Sequence, residues 1–255
     1  MQRLQNFSVR RAVKSGINKL IGGFGGRVVG ASWGPRGFQD SLRRAKKGGI
    51  ELRQIVDAGA AQGTWTRECL EVFPDANYFL VEPLEENVNF LNELRRVQPK
   101  VKVWAGALGA AAGEVGFYVH GDQSSFFKSE YSRAAISTTR GVEVRALDSF
   151  LEERVIQQPD MIKADVQGYE IEVLKGAEKC LESTELLLLE VSYKQIYKNA
   201  PLAHEVISYV GSKGFRIFDI CTYAMRAFDG ELAQSDMLFA KARSRLFEYE
   251  GWDAK

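Results

Sequence analysis

From Leu52 to Lys241, short β-branched or aromatic runs alternate with segments of helical period, and this alternation restricts the fold more than any other feature of the 255-residue chain. A short apolar run followed by a helix-length amphipathic stretch is the pattern of a βαβ unit, and repeated units build a mostly parallel sheet covered by helices. The pattern predicts strands over Leu52–Asp57, Ala76–Glu82, Lys102–Ala107, Val142–Leu147, Asp160–Val166 and Glu185–Ser192. A last antiparallel pair, Phe215–Tyr223 and Gln234–Lys241, is separated by a turn at Asp229-Gly230. Helices are expected over Thr64–Phe73, Glu85–Val97, Tyr169–Leu181 and Leu202–Lys213. Glu114–His120 reads as an extra strand, and Gly121–Gly141 as a polar, Ser-rich loop whose length favours a functional role.

In an open α/β sheet, ligands bind beyond the carboxyl ends of the strands, near the point where strand order reverses. Four expected strand ends carry acids: Asp57, Glu82, Asp165 and Glu190. The strongest local signal is IVDAGAAQGTWT, Ile55–Thr66, in which a strand runs through a small-residue turn into a helix. Gly59 and Gly63 let the backbone turn sharply and a ligand approach closely, and the helix start offers free N–H groups. The spacing is G-x-x-x-G with an acid in front, not the dinucleotide fingerprint G-x-G-x-x-G. Asp57 would repel a pyrophosphate and attract an ammonium. Glu82, nineteen residues after Gly63, is placed to accept hydrogen bonds from ribose hydroxyls, and Pro83 then stops the strand. A nucleoside joined to a cationic amino-acid portion, as in S-adenosylmethionine, suits such a pair of acids.

The net charge of +1 conceals an asymmetry. Residues 1–50 hold eleven Lys/Arg and one acid, Asp40, a balance of +10; the other 205 residues hold 23 bases and 32 acids, a balance of −9. Residues 1–49 therefore read as a basic, Gly-rich, partly helical arm, with helices around Val9–Leu20 and Gly37–Lys47. The arm suits an anionic acceptor or peripheral contact with a membrane surface. Residues 50–242 form the domain and 243–255 a C-terminal tail. No apolar run exceeds four residues, which excludes a membrane-spanning helix. The N-terminus lacks a secretory signal, and Cys69, Cys180 and Cys221 have no CxxC spacing, so a cytoplasmic protein with reduced cysteines is expected. Two histidines and those cysteines support no zinc site.

DAGAAQG, VEP, the ALG of Ala107–Gly109, Ser124-Ser125 and the LDSF of Leu147–Phe150 together resemble the FkbM family. So do MIKADVQGYEIEVLKGAEKCL (Met161–Leu181), LLLLEVSYKQIY, Gly214-Phe215 and QSDMLFAKA, in family order. The resemblance runs from about Ile50 to Ala242. It implies a class I methyltransferase with a Rossmann-like α/β fold, a mostly parallel seven-stranded sheet and a C-terminal antiparallel hairpin. It further implies S-adenosylmethionine as methyl donor and a hydroxyl of a sugar, glycan or related natural product as acceptor. Asp57, Ala58, Gly59, Ala60 and Gly63 would cradle the methionine portion. Glu82 with Pro83 would hold the ribose, and Ala107 and Leu108 would lie along the adenine. Asp165 would face the sulfonium and the acceptor. Ala60 and Ala61 depart from the more usual Asn/Val-like pair.

A sugar hydroxyl is a poor nucleophile, so a positioned base is expected to contribute about 10²–10⁴ in rate. The candidates are Asp165, Glu190, His120 and Lys163; Lys163 lies two residues before Asp165, on the same strand face. Oxygen ligands from Asp165 and Glu190 would suit Mg²⁺, but no spacing demands a metal and none is expected. Tyr169 and Tyr193 are candidates for the acceptor pocket. Two other readings stand beside this one. An RNA 2′-hydroxyl methyltransferase would use the basic arm, although Asp165-Val-Gln-Gly-Tyr169 lacks the Asn/Asp-Pro-Pro-aromatic run of amine-methylating sites, and nucleic acid is not the expected acceptor. A binding module would keep the fold without turnover.

Overall fold

A computed structural model describes residues 35–119, 124–128 and 138–248. The chain runs through α1 (Phe38–Lys47), β1 (Gln54–Ala58), α2 (Thr64–Leu70), β2 (Asn77–Glu82), α3 (Glu85–Val97) and β3 (Val101–Ala105). It continues through β4 (Ala107–Leu108), β5 (Gly113–Val119), β6 (Thr138–Arg145), α4 (Leu147–Glu152), β7 (Met161–Ala164), α5 (Glu170–Lys175) and α6 (Glu178–Ser183). Then come β8 (Leu186–Ser192), α7 (Ala203–Ser212), β9 (Phe215–Met225), β10 (Leu232–Lys241) and a 3₁₀ turn at Arg245–Phe247.

The main sheet has seven strands in the order β3-β2-β1-β7-β8-β10-β9. The first five are parallel; β10 runs antiparallel to both β8 and β9. Strands β1 and β7 are buried along their whole length, as expected for a parallel core covered on both faces. Alternate residues serve opposite faces. Val56, Ala58, Ile162, Ala164, Leu187 and Leu189 pack into one cluster with residues of α4 to α7. Ile55, Met161, Leu186 and Leu188 pack into another with Leu42, Cys69 and Leu91 of α1 to α3. From β1 the strand order proceeds one way to β2 and β3, and the other way to β7 and β8. The loops leaving β1 and β7 therefore diverge and open a crevice between them.

Three differences from the sequence expectation have local causes. Val142–Leu147 is not part of the main sheet: β6 pairs with β5 and β4 in a separate three-stranded sheet. Its Val142 and Val144 are buried with Leu84, Ala107 and Phe117 over the crevice. The helix expected over Tyr169–Leu181 is broken at Gly176, where a Cβ would come within 2.0 Å of the Gly109 carbonyl oxygen. The close approach of two backbones interrupts the helix there. The strand expected to end at Leu147 stops two residues earlier, and Leu147 instead opens helix α4.

The basic arm also needs redrawing. Helix α1 buries Leu42 and Ala45 in the core, Gly37 N–H donates to the Cys221 carbonyl at 2.9 Å, and Ser41 and Arg44 both bond Asp219 of β9. The packed unit accordingly begins at Arg36 rather than at residue 50. At the other end Leu246 and Phe247 pack against the same core, so the tail is attached at least through the 3₁₀ turn. The helix expected at Val9–Leu20 lies outside the described residues. Cys69, Cys180 and Cys221 are buried free thiols, and burial pushes Cys69 and Cys221 up to about 12. Among the described residues no helix is long and apolar enough to cross a membrane.

Candidate active site

The turn after β1 folds as it does because two glycines and one alanine accept left-handed backbone. Gly59 (φ 72°) is irreplaceable on steric grounds: a Cβ there would lie 2.0 Å from the Asp165 carbonyl oxygen. Gly63 (φ 79°) starts α2 and faces Leu91 of α3. Between them Ala61 stands at φ 46°, a conformation that costs an L-residue on the order of 1 kcal/mol. The turn is held by Gly59 and Ala60 N–H groups on the Val81 carbonyl, at 3.0 and 3.1 Å, and by Ala61 N–H on Glu82 Oε2 at 2.8 Å.

Glu82 is buried at the end of β2. Besides Ala61 it accepts from Leu84 N–H at 2.9 Å and from Asn87 Nδ2 at 3.3 Å, both on Oε1. A carboxylate has about four acceptor positions, so one is left on a group that faces a cavity. Burial pushes Glu82 above the ordinary glutamate value against the pull of these three donors and Lys163. One more donor, such as a diol hydroxyl, is what its environment lacks.

The cavity lies over the β1 and β7 ends. It is lined by Ala58, Gly59 and Ala61 from the β1 turn, Glu82 and Pro83 from the end of β2, Ala107 and Leu108 of β4, and Asp165 and Gln167 after β7. Phe117 and Phe126 cover it, ring centroids 4.9 Å apart. Residues 124–128 are fastened to β5 by two backbone bonds between Tyr118 and Ser125, 2.8 and 3.1 Å long. The apolar walls suit a planar heterocycle, and the buried acid at Glu82 suits a polar sugar. The residues present thus fit an adenosyl group.

The structure places the expected site residues unequally. Ala58, Gly59, Glu82, Pro83, Ala107, Leu108 and Asp165 line the cavity; Asp57, Ala60, Gly63, Lys163 and Glu190 do not. Asp57 is fully buried on the sheet face beneath α2. Its Oδ2 accepts from Thr66 Oγ1 at 2.6 Å and its Oδ1 lies 2.9 Å from Lys163 Nζ. It cannot reach an ammonium in the cavity directly, because it precedes the strand end by one residue and so projects to the other face. Lys163, its cross-strand neighbour in β7, donates to the Gly59 carbonyl at 2.8 Å and lies 4.0 Å from Asp165 Oδ2. Burial disfavours the Lys163 charge, but Asp57 and Asp165 outweigh it and hold the ammonium above the usual lysine value. Lys163 is therefore a fixed cation, unsuited to act as a base.

Glu190 lies two residues beyond Leu188, the β8 partner of Lys163, which brings it level with Asp165. Burial raises its carboxyl well above the ordinary range, and Asp165, Glu170 and Asp236 push it further the same way. Between Asp165 and Glu190 sits Gln167, which the sequence alone does not single out; its amide donates to both carboxylates at 2.9 Å. Glu170 is a second such residue. Its buried carboxylate caps the turn by accepting from Val166 and Gly168 N–H, both at 3.1 Å, and burial pushes it up to about 7. The signal for both is the DVQGYE run, where Asp165 draws the attention. Tyr169 packs against Phe126 and Phe127, and the Tyr193 hydroxyl lies 3.0 Å from Ser235 Oγ. His120 falls outside the described residues.

Comparison with known proteins gives the family. Residues 57–217 match the methyltransferase FkbM domain model. The chain is 23% identical over 192 residues to the 2-O-methyltransferase NoeI of Sinorhizobium fredii, covering 70% of this chain and 77% of that protein. It is 25% identical over 157 residues to the hexuronic acid methyltransferase AglP of Haloferax volcanii, covering 61% and 63% respectively. A solved FkbM methyltransferase from Methylobacillus flagellatus superposes with a TM-score of 0.52 at 16% identity, over 80% of this chain and 48% of that one. The chain thus spans somewhat under two thirds of the archaeal relative and about half of the solved chain. A domain match over more than half the sequence, on a sheet of the order described, makes this chain a member of the FkbM family of S-adenosylmethionine-dependent methyltransferases.

Proposed function

We propose that the protein methylates a hydroxyl of a sugar or glycan, with Asp165 as the group that takes the hydroxyl proton. The observation that carries this reading is the position of Asp165. It lines the cavity just past the end of β7, at the β1/β7 switch point, with Glu190 level with it on the next strand. Bound S-adenosylmethionine supplies an electrophilic methyl group on a sulfonium sulfur. The Asp165 carboxylate would take the proton of the acceptor hydroxyl as the methyl group is transferred, leaving a neutral thioether as S-adenosylhomocysteine, and would pass that proton to water. Glu82 and the Gly59–Ala61 turn bind and orient. Pro83, Ala107 and Leu108 supply the apolar contacts, and Phe117 with Phe126 excludes water. Asp57 and Lys163 are positioning residues: the pair joins β1 to β7 and holds the Gly59 carbonyl in place.

The charge around the acceptor end bears on the substrate. Asp165, Glu190 and Asp236 gather there, and the nearby Lys163 is already paired with Asp57. Burial and crowding already push Glu190 and Asp236 towards their neutral forms, and a carboxylate on the reacting ring would add another acid to this cluster, so an uncharged sugar ring is favoured. The anionic acceptor expected from the basic arm rests on residues largely outside those described; at the cavity the charge runs the other way. A screen with methyl-labelled donor against neutral and uronic-acid saccharides tests both points. Label transferred to neutral rings is the expected result; transfer confined to uronic acids would overturn the charge argument, and transfer to RNA alone would overturn the sugar reading.

A further inference from the structure

Proton transfer to Asp165 leaves unused a side chain that touches both carboxylates at the acceptor end. Gln167 is held on every side. Its backbone lies at φ 54°, in the left-handed region, and its carbonyl accepts from Ser125 Oγ at 2.7 Å. Its side-chain Oε1 accepts from the Tyr197 hydroxyl at 2.5 Å. That contact fixes the amide orientation. With Oε1 turned to the phenol, both N–H groups of Nε2 point at acids, one at Asp165 Oδ1 and one at Glu190 Oε2. The reverse orientation would face a carbonyl oxygen against two carboxylates. Gln234 of β10 adds a second amide to Glu190 Oε2, at 2.7 Å. A non-glycine residue in left-handed backbone, kept there by packing and bonds, is the kind of local strain that gathers at working sites.

Two carboxylates level with each other on adjacent strands repel each other, and the first proton they share is then held tightly. Shared N–H donors stabilise the charged form of each and lower that tendency. We infer that Gln167 is a positioning residue that bridges Asp165 and Glu190 and so holds the Asp165 side chain aimed at the acceptor while the second acid stands beside it. This inference rests on Asp165 being the proton acceptor. The charged or titratable groups around the bridged pair are Lys163 of β7, Glu170 of α5, Asp236 of β10 and Tyr197. Lys163 is the one cation among them and is common to both carboxylates, whereas the Gln167 amide is the contact that joins them.

The test uses Gln167→Gly, which removes the amide and tolerates the left-handed backbone, with Tyr197→Phe as a milder partner. Side-chain carboxyl ¹³C titration of the full-length protein reads the two acids without needing an acceptor, and the melting temperature confirms folding. Loss of donors to the ionised forms must move the midpoints of both acids upward, by about one pH unit. The acid limb of kcat/KM for methyl transfer then moves to higher pH by the same amount, about a tenfold loss below the limb. Tyr197→Phe gives a smaller shift of the same sign. Unmoved midpoints in folded Gln167→Gly would overturn the bridge whatever the acceptor turns out to be; moved midpoints with an unmoved limb would overturn its part in the reaction. Failure of every saccharide in the screen would instead count against the sugar reading, and the carboxyl titration would still decide the bridge.

Discussion

The two halves of the crevice are built on different principles. The half proposed to take the donor, at the ends of β1, β2 and β4, is backbone and small apolar side chains around one acid, Glu82, whose partners are mostly main-chain N–H groups. The half proposed to take the acceptor, built on β7, β8 and β10, is a lattice of acids interleaved with two glutamine amides and one paired lysine. A half made of backbone geometry recognises one fixed shape. A half made of interacting titratable groups sets a proton affinity, and each member depends on the others. The first arrangement suits a donor that does not vary; the second suits proton transfer.

Substitutions on either side should separate these roles. The largest effect is expected for Asp165→Asn, which keeps the shape and removes the base: turnover falls by about 10²–10⁴ while donor affinity, measured calorimetrically, stays within a few-fold. An equal loss of donor affinity would place Asp165 in the donor half. Lys163→Met leaves Asp57 buried without its ion partner, and chemical denaturation should show a loss of about 3–5 kcal/mol. A loss under about 1 kcal/mol would mean that the pair does not join β1 to β7 energetically.

Glu82→Gln should weaken donor binding by roughly 10- to 100-fold, the worth of a hydrogen bond to a charged group, without moving the acid limb of the rate profile. A moved limb would mean that the two halves titrate together. The smallest effect concerns Glu170. Its folded carboxyl titrates at about 7 against an ordinary 4.5, so the folded form binds the proton more tightly than the unfolded one. Its contribution to stability is therefore full below 4.5, declines as pH rises to about 7, and is flat above that, with a slope of at most about 1.4 kcal/mol per unit. Glu170→Gln retains an acceptor for the Val166 and Gly168 N–H groups and should flatten part of that decline; an unchanged slope would assign the effect to Glu190 or Glu82.

The donor half is legible in the sequence because its information is local. Gly59 and Gly63 at fixed spacing and an acid followed by Pro83 announce themselves within a few residues, whereas Ala107-Leu108 enters only through the family resemblance. Asp57 shows the limit of that legibility. In a strand, one residue of error in where the end falls reverses the face, and Asp57 precedes the end by one, so it pairs with Lys163 beneath α2. The acceptor half is only partly legible. Asp165 and Glu190 stand at expected strand ends, but Gln167 gains its meaning from Tyr197 and Ser125, 30 and 42 residues away in sequence. The helix expected at Gly37–Lys47 is present as Phe38–Lys47, but its basic composition hides the buried stripe, Ser41, Leu42 and Ala45, which is narrow enough to pass for part of a solvated arm.

The most direct test is a crystal of the protein grown with S-adenosylhomocysteine, the demethylated donor. The account requires the ribose diol on Glu82, the adenine between Ala107-Leu108 and the phenylalanine cover, and the sulfur directed towards Asp165. Density for the compound elsewhere, or with its sulfur turned away from Asp165, would contradict the division of the crevice into donor and acceptor halves.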